Sequence, residues 1–382
     1  MTDRYTPLFE SFSFKNGSVL RNRIVMAPMT TWSGNPDGTV SEQELTYYRR
    51  RSTGAGLVIT GCAHVTANGI GFHNEFAACD DDFIPSLKSL ADTIKSGGAK
   101  AVLQIFHAGN KAVPELIDGQ DVVSASSLKA APGPFNSGEF VSRELVEDEI
   151  KEIISSFGKA TRRAIEAGFD GVELHGAHGF LLQNFLSPKY NVRSDRWGGS
   201  LVNRLAFPLA VAKEVRRIID EYGNPGFILG YRLSPEESEE DGLRIDDVLT
   251  LIDELCEVGI DYLHASLKDV LRSALIDKDA EELAIDYILK HINSRIPVIA
   301  AGHIETPEQA QKAFNLGLSL VAVGKGLVIN PNWVELVKEE RLHDMDFSLA
   351  RNDVENKSIP INLWRIIEST TGWFPIYQEV EA

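Results

Sequence analysis

Eight short runs of apolar and β-branched residues recur along the chain, with segments of helical periodicity between them. The runs are Arg23–Ala27, Leu57–Thr60, Ala101–Ile105, Gly171–His175, Ile228–Leu233, Tyr262–Ala265, Pro297–Ala300 and Leu320–Val323. Most are continuously apolar rather than alternating, which is typical of parallel strands covered on both faces. Eight alternating β and α units predict an α/β fold, a (βα)₈ barrel of the TIM type, more economically than two doubly wound domains.

The intervening segments carry helix signals. Between Ile150 and Ile165, apolar residues recur at steps of three and four, which predicts a helix with one buried stripe. Capping-box pairs precede two of the helices, at Ser41 with Glu44 and at Thr306 with Gln309. Glycines in the position of a C-cap follow three of them, at Gly168, Gly259 and Gly317.

Three segments depart from the repeat. Residues 12–20 carry Asn16-Gly17 between apolar pieces, which predicts a β-hairpin that could close the N-terminal mouth of the barrel. The long loop after the third strand, Asn110–Val146, is rich in Ser, Pro and Gly, and we expect it to arch over the site. The barrel is therefore assigned to residues 1–340, and the aromatic-rich extension 341–382 is expected to pack on it or on a neighbouring subunit.

Charge and composition exclude several classes of function. The 55 acidic residues exceed the 38 basic ones, and the resulting net charge of −17 disfavours binding to nucleic acids or anionic membranes. The three cysteines, Cys62, Cys79 and Cys256, show neither metal-like spacing nor a disulfide framework. The chain has no apolar run long enough for a membrane span and no leader-like N-terminus, so we expect a cytoplasmic protein without a membrane partner.

In a (βα)₈ barrel the active site lies at the C-terminal ends of the strands. The loops after strands seven and eight usually form a phosphate site, because glycines let backbone N–H groups approach the phosphate oxygens. Here those loops carry Ala301-Gly302 and Gly324-Lys325, and Lys325 supplies a cation. The alternative is that these glycines merely turn the chain.

His175 and His178 end the fourth strand, and Arg232 ends the fifth. Two histidines in such a place could bind a metal, polarise a substrate or satisfy buried hydrogen bonds. A metal is disfavoured, because strand one offers no His-x-His and strand eight offers Lys325 instead of an aspartate. Arg232 would be a costly buried charge unless it faced an anion or an electron-rich ring. No GxGxxG follows a strand, which favours a mononucleotide across the barrel mouth over a dinucleotide.

These residues resemble the motifs of the old yellow enzymes, the FMN-dependent ene-reductases of the NADH:flavin oxidoreductase group. The resemblance covers nearly the whole chain and includes 22–30, 104–109, 175–181, 185–188, Asn191, Arg193, Asp195, 197–200, Asn203 and Arg204. Relatives with an iron–sulfur cluster are excluded, because a cluster needs four ligands and this chain has three scattered cysteines.

The resemblance implies FMN as the cofactor, NAD(P)H as the reductant and a small electrophilic acceptor such as an α,β-unsaturated carbonyl, a nitro compound or a quinone. It implies that the flavin ring lies among Ala27, Pro28, Met29, Thr30, Cys62, Gln104 and Arg232. The phosphate would lie on Ala301, Gly302, Gly324 and Lys325. His175 and His178 would be the catalytic donors to the acceptor oxygen, and Trp32 and Phe180 would contact the acceptor.

Two positions depart from the family pattern. Phe180 stands where the family usually has the tyrosine that protonates the substrate carbon, and a phenyl ring cannot give a proton. Strand parity turns Tyr231 away from the Arg232 side, so water is the remaining candidate. Lys325 stands where many members carry arginine, which replaces a planar fork with a point charge at the phosphate.

Two other functions are compatible with the sequence. A flavin-free, phosphate-binding lyase or isomerase could use Lys268 after strand six as a Schiff-base lysine. A non-catalytic flavin-binding redox module could have lost ene reduction together with the tyrosine. A homo-oligomer is possible in each case.

Overall fold

The computed structural model describes residues 4–130, 140–278 and 281–377. Its strands are β1 (Phe12–Ser13), β2 (Val19–Leu20), β3 (Ile24–Met26), β4 (Leu57–His64), β5 (Phe76–Ala77), β6 (Lys100–Phe106), β7 (Val123–Ser124), β8 (Arg143–Glu144), β9 (Gly171–Gly176), β10 (Ile228–Leu233), β11 (Tyr262–Ser266), β12 (Val298–Ala301) and β13 (Leu320–Val323).

The helices surround the sheet. They are α1 (Thr6–Phe9), α2 (Glu42–Ser52), α3 (Ile84–Ser96), α4 (Glu147–Glu166), α5 (Leu181–Leu186), α6 (Leu201–Tyr222), α7 (Ile245–Val258), α8 (Ala284–Ile292), α9 (Pro307–Asn315), α10 (Lys325–Ile329), α11 (Trp333–Lys338), α12 (Asp353–Asn356) and α13 (Ile361–Ser369). None of the described helices is long and apolar enough to cross a membrane.

Eight parallel strands close into a barrel in the order β3, β4, β6, β9, β10, β11, β12 and β13. The closure pairs Val323 of β13 with Met26 of β3, and Met26 in turn with Val58 of β4. Each barrel strand overlaps one of the eight predicted apolar runs. The predicted (βα)₈ barrel is therefore confirmed.

The strand β4 extends four residues beyond its predicted apolar run, further than any other barrel strand. The run ends at Thr60, but β4 continues to His64 after a register irregularity between Ile59 and Cys62. A side chain at Gly61 would lie 2.9 Å from the carbonyl oxygen of Met29, so the glycine lets the segment after β3 cross close to β4. The irregularity turns Cys62 toward Thr30, with 3.5 Å between Sγ and Oγ1.

Residues on alternate strand positions fill the inside of the barrel. Val25, Ile59, Val102, Ile228 and Leu320 belong to this inner cluster, and Tyr262 occupies the space above Gly230, which lacks a side chain.

The predicted hairpin forms, because β1 and β2 pair in antiparallel orientation. Its Phe14 belongs to the same inner cluster and lies with its ring centroid 6.2 Å from that of Tyr262. The hairpin therefore closes the N-terminal end of the barrel.

The predicted helix signals hold with one correction. The Thr306–Gln309 capping box is complete at the start of α9, and Gly259 ends α7 in the left-handed conformation. At α2, Ser41 accepts a hydrogen bond from the backbone of Glu44, but the Glu44 side chain does not return to Ser41. Glu44 is instead buried and accepts a hydrogen bond from Thr31, because the segment after β3 packs over the start of α2.

The extension after Arg341 packs against the barrel as far as the structure describes it. Leu363, Trp364 and Phe374 are buried there. The fully buried Arg51 of α2 links the extension to α10, the helix after β13. Its guanidinium donates to the carbonyl of Leu327 in α10 and to the carbonyl of Lys357 in the extension, each at 2.9 Å.

Part of the predicted lid lies outside the described residues. The loop Asn110–Val146 includes 131–139, which the structure does not describe. In its described part, Ala112, Ile117 and Val122 pack in one apolar cluster with Phe180.

Candidate active site

A cavity of about 320 Å³ opens at the C-terminal ends of the barrel strands. Its walls include many of the predicted cofactor residues, namely Ala27, Pro28, Met29, Arg232, Ala301, Gly302, Gly324 and Lys325. These positions come from four separate strand ends, those of β3, β10, β12 and β13, and only the closed barrel brings them together. The cavity has the size expected of a small-molecule or cofactor cleft.

The loops after β12 and β13 form one end of the cavity. Gly302 has a φ of +152°, and a side chain there would meet the Leu267 carbonyl oxygen at 2.4 Å. A side chain at Gly324 would have no contact closer than 3.4 Å within the protein, so its absence leaves open space on the cavity side. Lys325 completes this end, with its Nζ 5.6 Å from the ring centroid of Phe374. Glycine backbone and one cation in this arrangement suit a phosphate.

Arg232 lines the cavity from the end of β10. Its side chain is buried, and Nη2 donates to the hydroxyl of Ser266 at 3.0 Å. Its Nε has no hydrogen-bond partner among the described residues. Burial lowers the pKa of Arg232, whereas the nearby Glu173 carboxylate raises it. A buried guanidinium with an unused donor matches the electron-rich edge of a flavin ring, which becomes negative on reduction.

A buried polar network near Arg232 could not be predicted from the sequence. Its centre is the Glu173 carboxylate, which accepts hydrogen bonds from Gln104 Nε2 at 2.7 Å and from Tyr262 at 2.9 Å. His264 Nδ1 lies 2.9 Å from the same carboxylate. Burial raises the pKa of the Glu173 carboxyl, but the charges of His264 and Arg232 outweigh this effect and hold the pKa below its ordinary value. Glu173 thus balances the Arg232 charge and orients the predicted flavin contact Gln104.

The two histidines lie together, with ring centroids 5.1 Å apart, and His178 lines the cavity. His175 is buried, and its Nδ1 accepts a hydrogen bond from the Ala177 backbone at 3.4 Å. His178 has a positive φ of 61°, and its Nε2 lies 2.7 Å from the Ser266 hydroxyl. Desolvation in the cleft and the charge of Arg232 hold both histidine pKa values well below 6.5. At neutral pH the pair is uncharged and can donate hydrogen bonds to an oxygen.

Aromatic rings line the side of the site next to the histidines. Phe180 is buried with its ring centroid 4.8 Å from that of His175 and 5.1 Å from that of Phe106. Trp32 lies further out, because Phe72 stands between it and Phe180, with centroid distances of 5.8 and 6.0 Å.

Four further residues at the site were not singled out from the sequence: Ser266, Trp373, Lys111 and Glu173. Ser266 follows His264 by two positions in β11, so strand parity could have found it. Trp373 lines the cavity from the C-terminal extension, and only the packing of that extension places it there. Lys268, the alternative Schiff-base residue, also lines the cavity but is exposed, whereas a Schiff-base lysine is activated by a desolvated setting or a neighbouring cation.

Comparison with known proteins identifies the family. The model of the NADH:flavin oxidoreductase / NADH oxidase family matches residues 7–344. The chain is 45% identical over 375 residues to the probable NADH-dependent flavin oxidoreductase YqiG of Bacillus subtilis, covering 98% of this chain and 99% of the relative. It is 39% identical to the NADH:acrylate oxidoreductase of Vibrio harveyi, covering 94% of this chain but only 36% of that longer protein.

Solved structures of the old yellow enzyme type share the fold. Morphinone reductase superposes with a TM-score of 0.75 at 27% identity, covering 89% of this chain and 91% of that chain. The old yellow enzyme homologue from Zymomonas mobilis gives a TM-score of 0.75 at 24% identity, covering 87% and 92% of the two chains. The chain therefore belongs to the NADH:flavin oxidoreductase / NADH oxidase family and is an NAD(P)H-dependent flavin oxidoreductase of the old yellow enzyme type, with FMN as its cofactor.

Proposed function

We propose that this protein uses NAD(P)H and FMN to reduce small electrophilic acceptors: α,β-unsaturated carbonyl compounds, nitro compounds and quinones. The observation that carries the proposal is the pair His175 and His178, whose ring centroids lie 5.1 Å apart and of which His178 lines the same cavity as the buried Arg232. Bound FMN would supply the hydride. The protein supplies the binding, the orientation and the charge around it.

Most of the proposed cofactor contacts line the cavity, and Thr30, Cys62 and Gln104 do not. Ala27, Pro28, Met29, Thr30, Cys62, Gln104 and Arg232 would surround the ring. Ala301, Gly302, Gly324 and Lys325 would hold the phosphate. Arg232 would stabilise the negative charge that reduction places on the ring, because a buried cation interacts more strongly than one in water.

The proposed acceptor contacts lie at the opposite end. His175 and His178 would each donate a hydrogen bond to the carbonyl, nitro or quinone oxygen. Donors aimed at an oxygen that gains charge are worth about 10²- to 10³-fold in rate. Phe180 would pack against the body of the acceptor, and Trp32 would act through Phe72 rather than by direct contact.

Two of the matched relatives are named for α,β-unsaturated acids, as NADH:acrylate and NADH:fumarate oxidoreductases. The present chain spans 36% and 38% of those proteins. Their names support an acceptor with an activated double bond. A homo-oligomer remains a prediction.

Anaerobic stopped-flow spectroscopy tests the proposal. NADH or NADPH should bleach the flavin absorbance, and cyclohexenone, a nitroaromatic and menadione, mixed separately with the reduced protein, should restore it. If NAD(P)H bleaches the flavin and none of the three acceptors restores its absorbance, the result would support a flavin-binding redox module instead. An absence of bleaching by either nicotinamide would contradict the proposed reaction.

A further inference from the structure

We propose that Lys111 is the acid that protonates the substrate carbon when this protein reduces an α,β-unsaturated acceptor. The inference rests on the proposed function and assigns the proton source that Phe180 leaves open. Lys111 ends a short 3₁₀ turn, Gly109–Lys111, just after β6.

The Lys111 ammonium lies at the acceptor end of the site. Its Nζ donates to the carbonyl oxygen of His178 at 2.7 Å and lies 6.0 Å from the centroid of the Phe180 ring. A side chain on Gly179 would come within 3.0 Å of Nζ, so glycine at that position leaves room for the lysine. The ammonium is thus anchored next to the ring that replaces the family's tyrosine.

Among the residues that the structure describes, the neighbouring groups do not offer an equivalent acid. Phe180 carries no exchangeable proton. Tyr231 belongs to the outer layer between barrel and helices, and its hydroxyl occupies the space beside Gly176. His175 and His178 are neutral, and a neutral imidazole N–H gives up its proton far less readily than an ammonium does.

The acid strength of lysine suits the task. A free lysine ammonium has a pKa of about 10.4, close to the value of about 10 for the tyrosine phenol that it would replace. Desolvation lowers the pKa of Lys111 from its ordinary value, while Glu237 and Glu239 partly oppose this effect. Lys111 is therefore a better acid than an exposed lysine.

The proposed step is balanced with respect to atoms and electrons. The acceptor's β-carbon gains a hydride, which originates from NAD(P)H. The electron pair of the C=C double bond forms the new bond between the α-carbon and a proton, while an N–H bond of Lys111 breaks. Lys111 becomes a neutral amine and regains its proton from water. Quinones and nitro groups take their protons on oxygen or nitrogen and do not need this acid.

The test uses the FMN-loaded protein with Lys111→Met and Lys111→Arg. Arginine keeps the charge and can still donate to the His178 carbonyl, but it does not release a proton in proteins. We expect both variants to slow reoxidation by cyclohexenone by about 10²-fold or more. Reoxidation by menadione should be unchanged in Lys111→Arg, which keeps the charge, and should fall much less than reoxidation by cyclohexenone in Lys111→Met. Adding Phe180→Tyr to Lys111→Met should restore much of the cyclohexenone rate. Lys88→Met, at an exposed lysine paired with Asp92, is the matched surface control.

A binding measurement checks the anchoring of His178 independently of activity. The charge-transfer band of a bound phenol should titrate alike in the wild type and in Lys111→Arg, and more weakly in Lys111→Met, which lacks the charge. Unchanged cyclohexenone rates in either variant would overturn the proposal. So would an equal loss with cyclohexenone and menadione. If the wild-type protein is not reduced by NAD(P)H at all, the proposed function fails first, and that failure is distinct.

Discussion

The Nε2 atom of His178 and the hydroxyl of Ser266 lie 2.7 Å apart, and the same hydroxyl accepts a hydrogen bond from Nη2 of Arg232 at 3.0 Å. A serine hydroxyl both accepts and donates, so it can serve either neutral form of the imidazole. Ser266 therefore joins the proposed acceptor site to the cation of the proposed flavin site. The fold makes this possible because His175 of β9 pairs with Arg232 of β10, and β11, which ends in Ser266, lies on the other side of β10.

The histidine pair should bind phenols over the oxidised flavin, because a phenolate oxygen resembles the oxygen of a reacting acceptor. His178→Ala should weaken phenol binding by about 1–3 kcal/mol. Ser266→Ala should weaken it by about 1 kcal/mol, because Ser266 affects the bound phenol only through the orientation of His178. Absorbance titration of the charge-transfer band measures both values. A band that neither substitution affects would assign these residues a structural role.

Arg232→Met removes the buried charge beside the proposed flavin ring. Hydrogen bonds to charged groups contribute about 1.5–3 kcal/mol, so FMN retention should fall about 10- to 100-fold, or the reduction potential should become more negative. Equilibrium dialysis and a redox titration measure the two effects. Arg217→Met, at an exposed arginine paired with Glu214, is the control. Wild-type affinity and potential in Arg232→Met would contradict the proposed contact.

Buried histidines predict loss of stability in acid. Burial, with a smaller effect of the nearby His64, lowers the pKa of His107 to about 3. Between pH 6.5 and 3 the unfolded chain carries the proton and the folded chain does not, so stability falls as the pH falls through this range. The slope from one such group is at most about 1.4 kcal/mol per pH unit. His107→Asn should flatten the decline in urea unfolding, and an unaltered slope would count against the assignment.

The contribution of His64 to stability should be lost at alkaline pH rather than in acid. Desolvation opposes its protonation, but hydrogen bonds with Cys79 and Glu75 outweigh it and raise the pKa of His64 to about 9. Its Nδ1 lies 2.9 Å from the Glu75 carboxylate. This contribution to stability is complete below pH 6.5 and is lost as the pH rises through 9. We expect His64→Gln to remove that alkaline decline, and equal declines in both proteins would refute the prediction.

The barrel could be predicted because its strands are buried on both faces and therefore read as apolar runs. The end of β4 could not, because Gly61 and Cys62 interrupt the run where the chain makes room for Met29. Glu44 satisfied the capping pattern in sequence, but tertiary packing turned its side chain inward to Thr31.

The candidate site could be predicted from the sequence where its residues stand at or just after the ends of strands, as His175, Arg232 and Gly324 do. Residues placed by loop geometry could not. Lys111 reaches Phe180 because of the turn after β6, and Trp373 enters the cavity because the extension folds back over it. In the sequence, Glu173 is visible only as a charged residue within an apolar strand. Its hydrogen bonds with Gln104 and His264 form only when the barrel brings these strands together.

The visible absorption spectrum of the purified protein, before and after anaerobic NAD(P)H, shows whether the cavity holds FMN that NAD(P)H reduces. We expect a yellow protein whose flavin bands bleach with NAD(P)H and which releases FMN, not FAD, on denaturation, because Gly302, Gly324 and Lys325 form one cavity end that suits a single phosphate. Colourless protein that FMN cannot reconstitute, or bands that persist with both NADH and NADPH, would contradict this expectation.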